Sequence, residues 1–377
     1  MHWIVTLAAA LVVDGHADTP QFFLDTGDDL TAGSQLDVDL PKARKGALGG
    51  EFFSIWVDPE LFPPGKAALR AFDLIDSVRA QVEKHPKELA LALTAADIER
   101  AFAAHKLAVL MGVEGGHAIE GDLHVLRDFY RLGARYMTLT WSNTNDIGDS
   151  SGDMTDPRTQ HHDGLTPFGR EVVAEMNRLG MLVDISHVAD KTFFDAVAAS
   201  KAPVIASHSS ARALAQHPRN MTDEMLQAMA KNGGVVMVNF FSAFVDEDYR
   251  KAFTAMWPEA VKAVKEAEQK YAGDPAMRTK ETFRIGKEFA ARIPRPPLKA
   301  LIDQIDHIAK VAGVDHTGIG SDFDGIPSMP QGIDSAADLP KIFSELRKRG
   351  YSKRDCDKIA SGNILRAMRA AEKVAKK

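Results

Sequence analysis

DGHAD, residues 14–18, closes the apolar run of residues 8–13 near the start of a 377-residue chain. A His and an Asp two residues apart, just past a buried strand, point the same way and can close on one divalent ion. His16 and Asp18 therefore read as half of a metal site, although strand ends also carry polar residues that only satisfy a loop. Whether the rest of the chain repeats the pattern decides between the two.

Seven further short β-rich runs follow: residues 46–57 (GALGGEFFSIWV), 108–113 (AVLMGV), 135–141 (RYMTLTW), 181–185 (MLVDI), 203–207 (PVIAS), 234–240 (GVVMVNF) and 317–321 (TGIGS). Helical stretches separate most of them. Apolar residues recur at helical spacing at Leu69, Phe72, Ile75, Val78 and Val82. Thr94 opens TAADIERAF with Asp97 as its capping partner, and Thr166-Pro167 has the N-cap and N1 pattern of a helix running to 179. Residues 119–132, 189–200 and 222–231 read as helices too. Strand runs that are continuously apolar are buried on both faces, which predicts parallel pairing and a closed α/β fold, the (β/α)8 TIM barrel, with residues 1–377 as one catalytic domain. Between the seventh and eighth strands, residues 244–297 are rich in Lys, Glu and Ala and end in Pro294, Pro296 and Pro297. They predict a helical insertion, either a cap beside the barrel mouth or a solvated excursion with no part in catalysis. Residues 352–377 predict a charged amphipathic helix packed on the outside.

Composition narrows the function classes. A chain that is 45% hydrophobic and 26% charged is ordinary for a globular protein, and a net charge of −6 without a long basic block argues against nucleic acid. Cys356 is the single cysteine, which excludes an intramolecular disulfide and a thiolate cluster, so any metal must be held by His and carboxylate. Residues 3–13 could pass for a signal-peptide core, but no Lys or Arg precedes them and cleavage would remove the strand that carries DGHAD. The chain as given reads as cytoplasmic, and as periplasmic or exported if a longer natural N-terminus has been removed. No stretch reaches the ~18 to 20 continuous apolar residues of a membrane span.

Chemistry-bearing residues recur at the ends of the runs: His16 and Asp18 after the first, Glu114 after the third, His187 after the fifth, His208 after the sixth and Asp322 after the eighth. In a barrel these C-terminal ends converge on one face, where active sites of this fold sit. Histidines and carboxylates around one pocket make an N/O site suited to zinc, and a shared carboxylate, for which Glu114 is the natural choice, lets two ions sit ~3.5 to 4 Å apart. Asp322 is placed to accept a proton from a metal-bound water. Each residue alone has a plainer reading as a loop or surface group; jointly they point to a metal site. His85, His105, His161, His162, His217 and His307 are left as loop or helix-surface residues.

The strings DGHAD, GVEGG (112–116), DISH (184–187), SHSSAR (207–212), Arg219-Asn220 and GIGSDFDG (318–325) resemble, in order and over nearly the whole barrel, the motifs of the membrane dipeptidase (renal dipeptidase) family, peptidase family M19. The resemblance implies a di-zinc dipeptidase on a TIM barrel of the metal-dependent hydrolase type. It implies that His16 and Asp18 bind one zinc, that His187 and His208 bind the other, and that Glu114 bridges them. Asp322 would be the acid/base and Arg219 the partner of the substrate carboxylate, a task that suits a guanidinium because it pairs bidentately. One position departs: where the family commonly has a His near the scissile carbonyl, in a string like LTHSNTN, this chain reads LTWSNTN and has Trp141. Indole donates one hydrogen bond but cannot carry a proton as imidazole does, so the departure bears on substrate range more than on hydrolysis.

The expected activity is zinc-dependent hydrolysis of short dipeptides, including those with a D-residue at the C-terminal position, by a hydroxide held between two zinc ions. A small dipeptide is the expected partner, and a homodimer is left open. The alternative is a di-metal amidohydrolase acting on another small amide or N-acyl amino acid. A scaffold that has lost catalysis would have lost a ligand or Asp322, yet all six positions hold competent residues.

Overall fold

The structure is a computed structural model in which residues 11–31 and 34–375 are described. Among the described residues, nine strands lie in one sheet: β1 Val12–Ala17, β2 Leu48–Trp56, β3 Leu89–Leu91, β4 Leu107–Glu114, β5 Ala134–Thr138, β6 Leu182–Asp184, β7 Ile205–Ala206, β8 Val235–Val238 and β9 Thr317–Ile319. Every pairing is parallel, β9 joins β1, and β2 pairs with β4, so eight strands close a barrel. β3 is a short ninth strand beside the first residues of β4, before β5 takes over that edge. Its three residues are too few to show a sequence period.

The expected eight runs are the eight barrel strands, most of them shortened at their ends, whereas 108–113 lengthens to Leu107–Glu114. The first differs most. Of the apolar run 8–13, residues 8–10 lie outside the described residues, and β1 extends through DGHA, so that Asp14 and His16 are inside the strand. A buried Asp is tolerated there because its carboxylate accepts from the Ser321 backbone N–H at 2.7 Å and from the Ser321 hydroxyl.

Alternate residues divide into two apolar layers, as the two-residue period of a strand requires. Val13, Phe52, Leu110, Tyr136, Ile205 and Met237 fill the lumen. Val12, Phe53, Val109, Met111, Val183 and Val236 face the surrounding helices. Two helices, Ala95–Ala103 and Asn363–Val374, belong with the lumen instead: Ala95, Ile98, Ile364, Leu365 and Met368 join the same cluster. The C-terminal helix therefore floors the barrel rather than packing on its outside. Asn363 Nδ2 donates to the Val314 and Thr317 carbonyls beside the start of β9, and Arg366 donates to Gly233 beside β8. The open end of an apolar barrel offers more surface to remove from water than a wall already covered by helices.

Between β8 and β9 run the helices Ser242–Val245, Glu247–Lys270, Pro275–Ala290 and Leu298–Val311. The second and third return over the segments that follow β1 and β2. Phe283 packs edge-on against Phe22 at 5.2 Å, Thr279 donates to Asp25 at 2.7 Å, and Lys265 pairs with Glu60 at 3.2 Å. They thus stand beside the barrel mouth. Among the described residues, no helix is long and apolar enough to cross a membrane.

One group in the wall is out of place electrostatically. Glu51 on β2 is 0% exposed, and neither carboxylate oxygen has a hydrogen-bond partner. Burial pushes it well above the usual carboxylate range, with the Asp14 charge adding to the effect. The unfolded chain loses this proton first, so stability falls as pH rises from the unfolded pKa toward the folded one. Glu51→Gln removes that loss. Its melting temperature is expected to match the unaltered chain near pH 4 and to exceed it by a few degrees at pH 8, as relief of a penalty of about 1–3 kcal/mol would give. Parallel melting curves across that range would contradict the assignment.

Candidate metal centre and active site

The C-terminal ends of β1, β4, β6, β7 and β9 bring together all six residues expected there. Glu114, the last residue of β4, is the hub. Its Oε2 lies 3.3 Å from His16 Nε2, and its Oε1 lies 2.9 Å from His187 Nε2 and 3.4 Å from His208 Nε2. The two latter nitrogens are 2.9 Å apart. Asp18 Oδ2 stands 3.7 Å from His16 Nε2, and ligand atoms of His16, Asp18 and Asp322 lie within 4.8 Å of one another, as do those of His16, Glu114 and His208.

Hydrogen bonds behind the ring define which nitrogen His16 and His208 turn to the site. Tyr136 gives its single hydroxyl proton to the Gly15 carbonyl at 3.1 Å, so at the 2.8 Å contact His16 Nδ1 must donate and Nε2 carries the lone pair. Ser207 donates its proton to Asp184 at 2.6 Å, so His208 Nδ1 donates to Ser207 at 2.8 Å, and again Nε2 is free. Asp184 is fixed in turn by Thr138, Ser186 and the Ser207 N–H. Tyr136 reaches across the lumen only because residue 112 is glycine: a Cβ there would lie 1.9 Å from the Tyr136 ring.

With all three rings neutral, imidazole lone pairs would face carboxylates with no donor between them. His16 Nε2 and Asp18 Oδ1 are buried and unpartnered. Burial disfavours a charged His16, yet Tyr136, Glu114 and Asp18 outweigh it and push its pKa well above the ordinary value. The same pocket keeps His187 and His208 neutral, chiefly through burial, with His187 pushed down to about 3. Although burial opposes it, the His16 charge and the imidazole nitrogens packed around it hold the Glu114 carboxyl well below its usual range. His16 thus takes up a proton between Glu114 and Asp18 while His187 and His208 stay neutral; a divalent cation would take that proton's place, and a set of imidazoles and carboxylates fits one.

Asp322 follows β9 with φ 67°, and His187 follows β6 with φ 70°, both in the left-handed region that non-glycine residues rarely adopt. Such strain, held by surrounding hydrogen bonds, collects at functional sites. The Asp322 N–H donates to the His16 carbonyl at 3.0 Å, and Asn239 Nδ2 donates to Asp322 Oδ2 at 2.8 Å. Burial, with Asp18 and Glu114 adding, pushes Asp322 up to about 7, within reach of proton exchange near neutral pH. Gly325 lets both acids sit against the backbone: a Cβ would fall 2.0 Å from Asp18 Oδ2 and 2.6 Å from Asp322 Oδ1.

Arg219 and Trp141 flank this centre. Arg219 is buried, donates to the His208 carbonyl at 3.0 Å and to Ser209 Oγ at 3.2 Å, and keeps Nε unpartnered; burial lowers its pKa to about 10, which leaves it charged at neutral pH. Trp141 lies 6.4 Å, ring to ring, from His187 and 5.1 Å from Trp56. His217, expected on the surface, is half-buried beside Arg219: its Nδ1 accepts the Arg219 N–H at 3.1 Å, and its ring packs on Phe244 at 4.5 Å. The turn folds inward because Arg219 must reach His208. Sequence reasoning also passes over Tyr136 and Asn239, which sit within apolar strand runs and look like ordinary core.

Comparisons with known proteins identify the family. The sequence model of the membrane dipeptidase family (peptidase family M19) matches residues 5–377. Dipeptidase tcpJ of Claviceps purpurea (strain 20.1) is 34% identical over 348 residues, covering 90% of this chain and 70% of its own. Among solved structures, the probable dipeptidase PvdM from Pseudomonas aeruginosa superposes with a TM-score of 0.80 at 27% identity, covering 97% of this chain and 96% of the other. A metallo peptidase from Rhodobacter sphaeroides, liganded with a phosphinate mimic of the dipeptide L-Ala-D-Ala, gives a TM-score of 0.74 at 25% identity over 96% of this chain and 100% of its own. The chain belongs to the membrane dipeptidase family, peptidase family M19, metallopeptidases that hydrolyse dipeptides.

Proposed function

We propose that this chain hydrolyses free dipeptides with two zinc ions, His16 and Asp18 holding one, His187 and His208 the other, and Glu114 shared between them. The observation that carries the reading is the Glu114 carboxylate, with one oxygen facing the His16 lone pair and the other facing His187 and His208. When bound, such ions acidify a water to a nucleophile near neutral pH and polarise the scissile carbonyl. The chain's own groups do the rest. Asp322 accepts the proton of the attacking water and returns it to the leaving amine, held in place for both transfers by Asn239. Arg219, already desolvated and rigidly held, pairs with the terminal carboxylate of the substrate and sets the peptide bond over Glu114. The L-Ala-D-Ala mimic held by the Rhodobacter sphaeroides relative supports acceptance of a D-residue at the C-terminal position here.

The test is a panel of L,L and L,D dipeptides assayed beside the same peptides N-acetylated or C-amidated. Turnover confined to peptides with a free carboxylate and a free amine is expected. Equal turnover of N-acyl amino acids would favour a di-metal amidohydrolase instead.

A further inference from the structure

Arg219 follows β7, and on the other flank of Glu114 around the barrel the rim is aromatic. Around the closed barrel β4 lies between β2 and β5, and each neighbour places a tryptophan beside Glu114: Trp56 ends β2 in register with Glu114, and Trp141 follows β5. Their rings meet at 5.1 Å with a 55° tilt, and both residues remain partly open to the mouth. The pair is held from behind. Gln21 donates to the Trp56 carbonyl at 2.8 Å and is itself held by Arg70 at 2.9 Å. Gly115, at φ 96°, lets Trp141 lie against the chain, since a Cβ there would come within 3.1 Å of the Trp141 Cβ and 2.4 Å of the His117 ring. A packed indole pair offers a broad apolar face and no charged group.

We infer that Trp56 and Trp141 form the subsite for the side chain of the substrate's N-terminal residue, and that this subsite selects bulky apolar or aromatic side chains. The inference rests on the dipeptidase reading. A dipeptide with its carboxylate on Arg219 and its peptide bond over Glu114 has its N-terminal residue on the far side of Glu114, against the indoles. An apolar side chain there leaves water for a surface that loses nothing by contact, whereas a charged one gives up hydration without a partner.

The experiment compares kcat/KM for Phe-Ala, Leu-Ala, Ala-Ala and Asp-Ala, in the unaltered enzyme and in Trp141→Ala and Trp141→Leu, with folding checked by circular dichroism. Phe-Ala and Leu-Ala are expected to exceed Ala-Ala by roughly tenfold or more, the scale of discrimination that apolar contacts supply, with Asp-Ala lowest. In Trp141→Ala the Leu-Ala to Ala-Ala ratio should fall to within about threefold, and Trp141→Leu, which keeps an apolar face, should retain most of it. A flat series in the unaltered enzyme, or an unchanged ratio in Trp141→Ala, overturns the subsite while leaving the dipeptidase reading intact. Hydrolysis of none of the four overturns both.

Discussion

Asp322→Asn is expected to lower kcat by about 10²- to 10⁴-fold, the usual worth of a positioned general acid/base, while metal content and melting temperature stay near those of the unaltered chain. The substitution is the right probe because it changes little else. Asn tolerates the left-handed backbone at φ 67°, and its carbonyl oxygen can still accept from Asn239 Nδ2. It cannot take up a proton. The pH profile provides an independent check. Asp322 must be ionised to act as base, so the rate of the unaltered enzyme falls as pH drops through its pKa, and the residual rate of the variant should lack that acidic limb. A variant with unaltered kcat would place the proton transfer on another group.

Glu114→Gln is the second large effect. Gln keeps the volume and the Ser54 contact, which the carboxylate accepts at 3.1 Å, but only one of its two terminal atoms can face a cation. The other becomes an NH2 aimed at imidazole lone pairs. Metal affinity should fall by more than the 10–100-fold typical of losing an outer partner of a ligand, and dipeptide turnover should fall with it. Titration calorimetry on the metal-free protein checks this. Two binding events of unchanged affinity would show that Glu114 bridges nothing.

Much of the fold is legible in the sequence because a parallel barrel has simple requirements. Strands covered on both faces must be apolar throughout, so GALGGEFFSIWV and GVVMVNF announce themselves, and the candidate ligands stand at strand ends because only those ends reach the mouth. Other features carry no local signal. That β1 includes His16 depends on Ser321, some three hundred residues away, satisfying Asp14. The three residues of β3 exist only through β4. The floor made by helix Asn363–Val374 follows from which surface remains open once the other helices have covered the wall. At the site, residue types suffice to nominate ligands, but the tautomers of His16 and His208 depend on Tyr136 and Ser207, whose hydroxyls matter only through where they point. Trp141 shows the same limit: the sequence marks it as a departure from the family pattern, and its pairing with Trp56 appears only in three dimensions.

We propose that a two-metal site drives dipeptide hydrolysis in this chain. Adding zinc stepwise to the chelated protein, with elemental analysis and Leu-Ala turnover read on the same samples, tests it most directly. Turnover should be absent without metal and should plateau at two zinc ions per chain. A plateau at one ion, or turnover that survives chelation, would contradict the account.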